Sequence, residues 1–387
     1  MHDAVSVWSS DELSTREFFV VATPQSGGTF RAQTDSLLAD YRKKLDSRGL
    51  DQGSALTVTF FLSDCANQEE ELRDHPGFCG LEAAGAAISV LQQPPAGAKI
   101  GLAAYHVERR GMPVRRQAVP LQGVLPQGRA VSVETPGYRF VYFKNLLSAS
   151  SGDAGWQTDA LMGASGLGLH SAGLPLSDVV RTWLYIHDID SHYQAVSQAR
   201  NALFERHGVT VQTGFPASTG IEGRTTDHRN LLMMDALAIQ GLRPGQSQGM
   251  AAPTHMNPTV EYGVTFERGR SITFGDRRHL YVSGTASIDN QGRILHVGDV
   301  ARQTERAVEN VRALLAGSQA DLTDMRLLLV YLRDPVDAPA VEAVLARSGL
   351  AAVPRLMVRA PVCRPGWLVE IEGVAIDGKG NPDFLPF

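Results

Sequence analysis

The sequence predicts an α/β (α+β) protein of three quasi-repeated units, each a mixed sheet with helices packed on one face. Three observations predict it. Strand-like and helix-like periodicities recur in the order strand–helix–strand–helix–strand along the chain. Leu176-Ser-Asp-Val-Val-Arg-Thr-Trp-Leu-Tyr-Ile-His-Asp parallels Leu322-Thr-Asp-Met-Arg-Leu-Leu-Leu-Val-Tyr-Leu-Arg-Asp position by position. Stretches rich in Gly, Pro and Gln at 109–127 and 241–258 punctuate the pattern as linkers.

The C-terminal copy is the clearest. His279-Leu-Tyr-Val-Ser-Gly-Thr-Ala-Ser reads as a strand running into a Gly turn, and the turn residues Asn290-Gln-Gly follow. Over 299–316, Val300, Thr304, Ala307, Val308, Val311 and Leu315 share one helical face. A buried strand is expected over 325–332 and a short helix over 338–347. Two strands joined at Arg364-Pro-Gly are expected over 354–376, read as a last hairpin. The middle copy places a strand at Arg139-Phe-Val-Tyr-Phe, a helix over 156–171, the Val179 strand and a helix over 193–207. Phe215-Pro-Ala-Ser-Thr-Gly-Ile-Glu-Gly and Leu232-Met-Met-Asp-Ala-Leu-Ala-Ile close it. A more worn first copy runs Phe18-Phe-Val-Val-Ala-Thr, a helix over 33–48, a strand over 56–64, an Ala-rich helix over 80–91, and a strand ending at Tyr105. The expected units are 1–125, 126–245 and 255–387.

Composition narrows the function. Hydrophobic residues are 43% and charged residues 20%, an ordinary globular balance. The net charge is −5 and no Lys/Arg run occurs, so no nucleic-acid partner is expected. The sequence shows neither a basic-then-apolar leader nor an apolar run of about 18 residues, so we expect a cytoplasmic protein with no membrane partner. Three cysteines, Cys65, Cys79 and Cys363, form neither a disulfide framework nor a C-x-x-C motif. Cys65 and Cys79 are expected as small buried hydrophobes. The scattered histidines match no zinc motif, so neither metal nor cofactor is expected.

This pattern resembles the YjgF/RidA family (a chorismate mutase-like fold), small α/β proteins that trimerise with sites between subunits. The resemblance is most specific at Ser283-Gly284-Thr285, at Pro354-Arg355 and at Val369-Glu-Ile-Glu372. It implies that Arg355 binds a substrate carboxylate and that Glu370 faces the same pocket. Three units in one chain imply a monomer folded as a pseudo-trimer, or a weak homo-oligomer of such chains. The repeats are unequal: Met233 stands where Glu370 stands, and neither Phe215-Pro-Ala-Ser-Thr nor Pro95-Ala-Gly-Ala-Lys-Ile-Gly-Leu offers the arginine.

With Cys363-Arg-Pro-Gly-Trp-Leu-Val-Glu370 before the last strand, the chain is similar to the chorismatases, cofactor-free enzymes that remove pyruvate from chorismate. The resemblance implies Glu370 as the acid and Cys363 as a mark of the 3-hydroxybenzoate branch, with a second branch-distinguishing residue near Gly284 and Ala286. Rival outcomes are hydrolysis to a dihydroxycyclohexadiene carboxylate, a mixture of 3- and 4-hydroxybenzoate, a RidA-like imine or enamine deaminase, and a binding module without catalysis.

The residue chemistry suits ether cleavage without a metal. Protonating the enolpyruvyl methylene needs a carboxyl that is still protonated near neutrality. Glu370, in an apolar strand beside Trp367, is expected to have a raised pKa, and Glu372 on the same strand face adds a like charge. Arg355 offers a planar fork for a carboxylate, and Arg359 shares its strand face. Cys363 has no nearby histidine to activate it, so shape and a weak S–H contact are its expected role. Gly284 permits close approach of backbone N–H groups. Ala286, Tyr262, Arg268, Thr219 and Gly220 complete the expected substrate-binding set.

Overall fold

The computed structural model describes residues 5–8, 15–25, 27–109, 114–163 and 168–387. The first unit contains β1 (Val5–Trp8), β2 (Thr15–Ala22), α1 (Phe30–Asp46), β3 (Ala55–Leu62), α2 (Cys65–Arg73), α3 (Pro76–Ala83), β4 (Ala87–Gln92) and β5 (Ile100–Arg109). The second contains β6 (Arg116–Ala118), β7 (Arg129–Glu134), β8 (Arg139–Leu147), α4 (Ala154–Met162), β9 (Val179–Ile186), α5 (Ile189–Arg206), β10 (Ala217–Glu222) and β11 (Leu232–Gln240). The third contains β12 (Ser247–Gly249), β13 (Gly269–Thr273), β14 (Arg278–Ala286), α6 (Val300–Gly317), β15 (Met325–Leu332), α7 (Ala338–Leu345), β16 (Arg355–Arg359) and β17 (Val369–Asp377).

Each unit forms one sheet, and the same four strands recur in the same order: β2-β5-β3-β4, β8-β11-β9-β10 and β14-β17-β15-β16. The last pair of each set is parallel, and its neighbours are antiparallel. A parallel pair needs a crossover, which α2 with α3, α5 and α7 supply in turn. The mixed α/β fold with three repeated units is therefore present, and it is the expected pseudo-trimer.

The register also fixes equivalences. Tyr185 pairs with Met233 as Tyr331 pairs with Glu370 and Phe61 with Gly101, so Met233, Gly101 and Glu370 occupy one position in three units. The units close on one another through bridges Gln92–Arg224, Ile221–Val362 and Pro95–Val358, one at each seam. Aromatic and aliphatic residues of all three sheets, among them Val107, Tyr142, Leu237, Ile272 and Tyr281, meet in a central core. Both faces of these sheets are thus covered, which is why β11 is buried almost throughout instead of alternating.

Several expectations change. The stretch 80–91 is not one helix: α3 stops at Gly85, whose φ is +81°, and the β-branched Ile88 and Val90 continue as β4. Helix α4 ends at Gly163 (φ +131°), well short of 171. The last two strands are not a hairpin, because β15 lies between β16 and β17 and pairs with both. Strands β6 and β7 extend the middle sheet and β12 and β13 the C-terminal one, so the linker stretches carry edge strands. Cys65 is buried, whereas Cys79 is exposed on the outer side of α3. Among the described residues, no helix is long and apolar enough to cross a membrane.

At the seam between the first and middle units, Asp235 is fully buried. It accepts hydrogen bonds from Lys144, the Asn145 backbone N–H and the Ser89 hydroxyl. Replacing Lys144 by Met would leave that carboxylate without its cation. A loss of about 3–5 kcal/mol is expected, read as a lower denaturant midpoint at unchanged slope.

Candidate active site

Where β17 of the C-terminal unit meets β10 and α5 of the middle unit, a cavity of about 130 Å³ opens. Glu370 forms its floor and is 5% exposed. It sits between Ala286 on β14 and Tyr331 on β15. The β14–β17 register slips between Val282 and Thr285, where two residues of β14 face one of β17. This bulge turns Gly284 onto the Glu370 carboxyl. A Cβ added at Gly284 would overlap the carboxyl oxygen, lie 2.8 Å from Glu370 Cδ and 3.1 Å from Thr219 Cγ2.

The walls come from two units. Thr219 is buried, and its hydroxyl oxygen accepts the Gly284 backbone N–H at 2.9 Å. Gly220 leaves room for the Tyr193 ring, which a Cβ would approach to 3.2 Å. Arg200 on α5 and Arg268 before β13 are both buried and flank the Phe266 ring, their guanidinium carbons 5.7 and 5.9 Å from its centroid. Arg268 also donates to the Asn257 carbonyl at 3.0 Å. Arg364 stacks 4.8 Å over Trp367 at the rim. Three cations around one carboxyl suit an anionic ligand.

Burial pushes the Glu370 pKa up to about 8, and the charge of Glu372 pushes the same way, while Arg181 and Arg268 oppose. Glu370 is therefore a carboxylic acid at neutral pH. Burial also raises the Cys363 thiol to about 12, with the Glu370 charge adding to it. Cys363 lines the cavity as a neutral thiol hydrogen-bonded with Tyr193.

Of the expected residues, the structure brings Glu370, Cys363, Gly284, Ala286, Arg268, Thr219 and Gly220 together around this cavity. Two are elsewhere. Arg355 pairs with Glu342 of α7 and donates to the carbonyls of Leu350, Ala351 and Val353. The reason is topological. β16 abuts the first unit, where Ala96 N–H bonds the Met357 carbonyl, and not the seam that holds Glu370. The residue at the position of Arg355 on the Glu370 seam is Ser218 of β10, paired with Thr182 as Arg355 is with Leu328. Arg359 is exposed on the same displaced strand. Tyr262 ends a short turn, Thr259–Tyr262, and its side chain lies outside the described residues.

Sequence reasoning missed Tyr193, Arg200, Phe266 and the cavity role of Trp367. A signal for Arg200 was available. It follows Val196 and precedes Leu203 on the buried stripe of α5, one face with Tyr193, and a cation in such a stripe calls for an anion.

The endoribonuclease L-PSP family matches residues 271–377. The 3-aminoacrylate deaminase RutC of Acinetobacter baylyi is 34% identical over 97 residues, covering 25% of this chain and 77% of that protein. The chain belongs to the L-PSP (YjgF/RidA) family. The 3-hydroxybenzoate synthase of Streptomyces hygroscopicus is 27% identical over 223 residues, spanning 52% of this L-PSP family member and 64% of that synthase. A chorismatase crystal structure superposes with a TM-score of 0.63 at 18% identity, covering 96% of this chain and 99% of its own. The L-PSP family member thus has the chorismatase fold, all three units included.

Proposed function

We propose that this protein is a chorismatase-type enzyme that cleaves the enolpyruvyl ether of chorismate to pyruvate and 3-hydroxybenzoate. The observation that carries it is Glu370, a buried carboxylic acid with a pKa near 8, set in a cavity lined by arginines. The similarity to the 3-hydroxybenzoate synthase and the chorismatase fold support the same substrate.

Glu370 gives its proton to the enolpyruvyl methylene carbon, which becomes the methyl group of pyruvate. The resulting oxocarbenium ion is stabilised by the carboxylate left behind. The bond between the ring and the ether oxygen then breaks, pyruvate leaves with that oxygen, and the neighbouring hydroxyl oxygen shifts to the vacated ring carbon. The ring loses a proton as it aromatises, and that proton restores the acid. Pyruvate and hydroxybenzoate together contain the atoms of chorismate, so no co-reactant is consumed. Arg200 and Arg268 hold the substrate carboxylates, and Phe266 packs against the ring.

A deaminase of RidA type would pair the glutamate with an arginine at the position of Arg355, and on the Glu370 seam that position holds Ser218. The deciding experiment incubates the purified protein with chorismate and identifies products by chromatography and mass spectrometry. Absence of pyruvate overturns the reading.

Two further outcomes are expected. The acid works only while protonated, so kcat should be level below pH 8 and fall tenfold per unit well above it. A pH–rate profile checks this, and a limb near 4.5 would contradict it. Cys363→Ala enlarges the cavity beside the ring, and its product mixture is expected to shift from 3-hydroxybenzoate toward the dihydrodiol. An unchanged mixture would remove Cys363 from product control.

A further inference from the structure

Beneath the floor of the cavity lies a second charged group that the proposed chemistry does not touch. Glu372 points from β17 toward the axis of the three units and is 3% exposed. Both its carboxylate oxygens are held from the middle unit: Arg181 Nη2 donates to Oε2 at 2.7 Å and Trp183 Nε1 to Oε1 at 2.7 Å. The Arg181 guanidinium also stacks 4.6 Å over the Trp183 ring, so its plane is fixed. The same Nη2 reaches the other way and donates to Thr219 Oγ1 at 2.6 Å. Thr219 in turn receives the Gly284 N–H, and Gly284 is the residue pressed onto Glu370. One buried arginine of the middle unit therefore holds both the anion behind Glu370 and the wall in front of it.

We propose that Arg181 is a positioning residue for the acid: it fixes Glu372 and the Thr219–Gly284 wall, keeping Glu370 aimed at the substrate and offsetting the Glu372 charge that favours its protonated form. This rests on the reading of Glu370 as the acid. Arg181 makes no contact with the cavity that would hold substrate, since it lines the axial space and not the site. The other charged or titratable groups facing Glu370 are Arg268 before β13, Arg200 and Tyr193 on α5, Cys363 and Arg364 in the loop before β17, and Tyr331 on β15. Glu372 is the one carboxylate among them and its charge opposes the ionisation of Glu370, so removing it leaves only cations acting on the acid.

The equivalent seam gives a contrast. Asp235 stands two residues after Met233 as Glu372 stands two after Glu370, and it too is held by a cation and a hydroxyl, Lys144 and Ser89. A buried ion pair at this depth is thus shared by two seams, but only at one does it lie under an acid.

The test is the pH–rate profile of three variants. Glu372→Gln keeps the shape and leaves Arg181 uncompensated, so the limb on which kcat falls should move down by about one pH unit or more. Arg181→Met removes the cation, and the limb should move up. Arg181→Lys keeps the charge, and the limb should return to within a few tenths of a unit of wild type. Opposite shifts of the first two, with rescue by the third, support the proposal. A lower melting temperature or lower kcat with the limb in place overturns it and leaves the pair as seam packing. Infrared difference spectra against Glu370→Gln follow the Glu370 carboxyl titration without substrate. They read the same shifts if chorismate is not turned over, so failure of the pair is distinguishable from failure of the proposed reaction.

Discussion

Glu370→Gln is expected to lower kcat for chorismate cleavage by about 10²–10⁴-fold while leaving the fold intact. The amide keeps the shape of the side chain and accepts a hydrogen bond, but it cannot give up a proton to carbon. It also loses the carboxylate that would face the oxocarbenium ion, so the transition state is deprived twice. Glu370 is neutral in the folded protein at neutral pH, because burial and the Glu372 charge both favour the protonated form. Substitution by a neutral amide therefore strands no charge, and the melting temperature should change little. Steady-state kinetics with a pyruvate-coupled assay, together with thermal unfolding, check both halves. Near-wild-type kcat would show that another group supplies the proton.

Gly284→Ala is the second large effect expected, and it acts by space alone. The added methyl would overlap the carboxyl of Glu370 and crowd Thr219 at 3.1 Å. The Gly284 backbone does not lie in the left-handed region, so an alanine is not strained by its own φ. The Glu370 side chain is the movable party, and a displacement of about 1 Å costs about 10²-fold in rate. We expect kcat to fall by that order with a modest loss of stability. In a Glu370→Gln background the same methyl should cost far less activity, because the two changes act through one group. Additive losses would mean that Gly284 serves the substrate directly.

The fold was legible where periodicity and chemistry agreed. The α6 stripe and the matching strands at 179–186 and 325–332 were readable because apolar runs bounded by Asp and Gly leave few alternatives. The 80–91 stretch misled because alanine favours helix, and a single glycine with positive φ decided against it. The short edge strands of the linkers carry no periodic signal of their own and exist because a neighbouring strand offers unpaired backbone groups.

The site shows the same limit in another form. Residues on the C-terminal unit were found because their motif lies within one stretch of chain. The family resemblance puts Arg355 in one pocket with Glu370, whereas the ring of three units places β16 and β17 at different seams. Arg181, Tyr193 and Arg200 were invisible as site residues because their relation to Glu370 is created only when the middle unit docks. A signal did exist in each case, a polar or charged side chain in an apolar strand or helix stripe.

The covalent joining of three units into one ring has a consequence for how such a site can change. In a symmetric trimer every substitution is written three times, so an acid forced into a desolvated seam would weaken all three interfaces together. Here the seams are independent loci. Met233 and Gly101 leave the position of the acid apolar at two of them, while Glu370 places the unpaired carboxyl at one. The protein carries the stability penalty of a functional site once, and mutations that reshape that site leave two-thirds of the ring undisturbed.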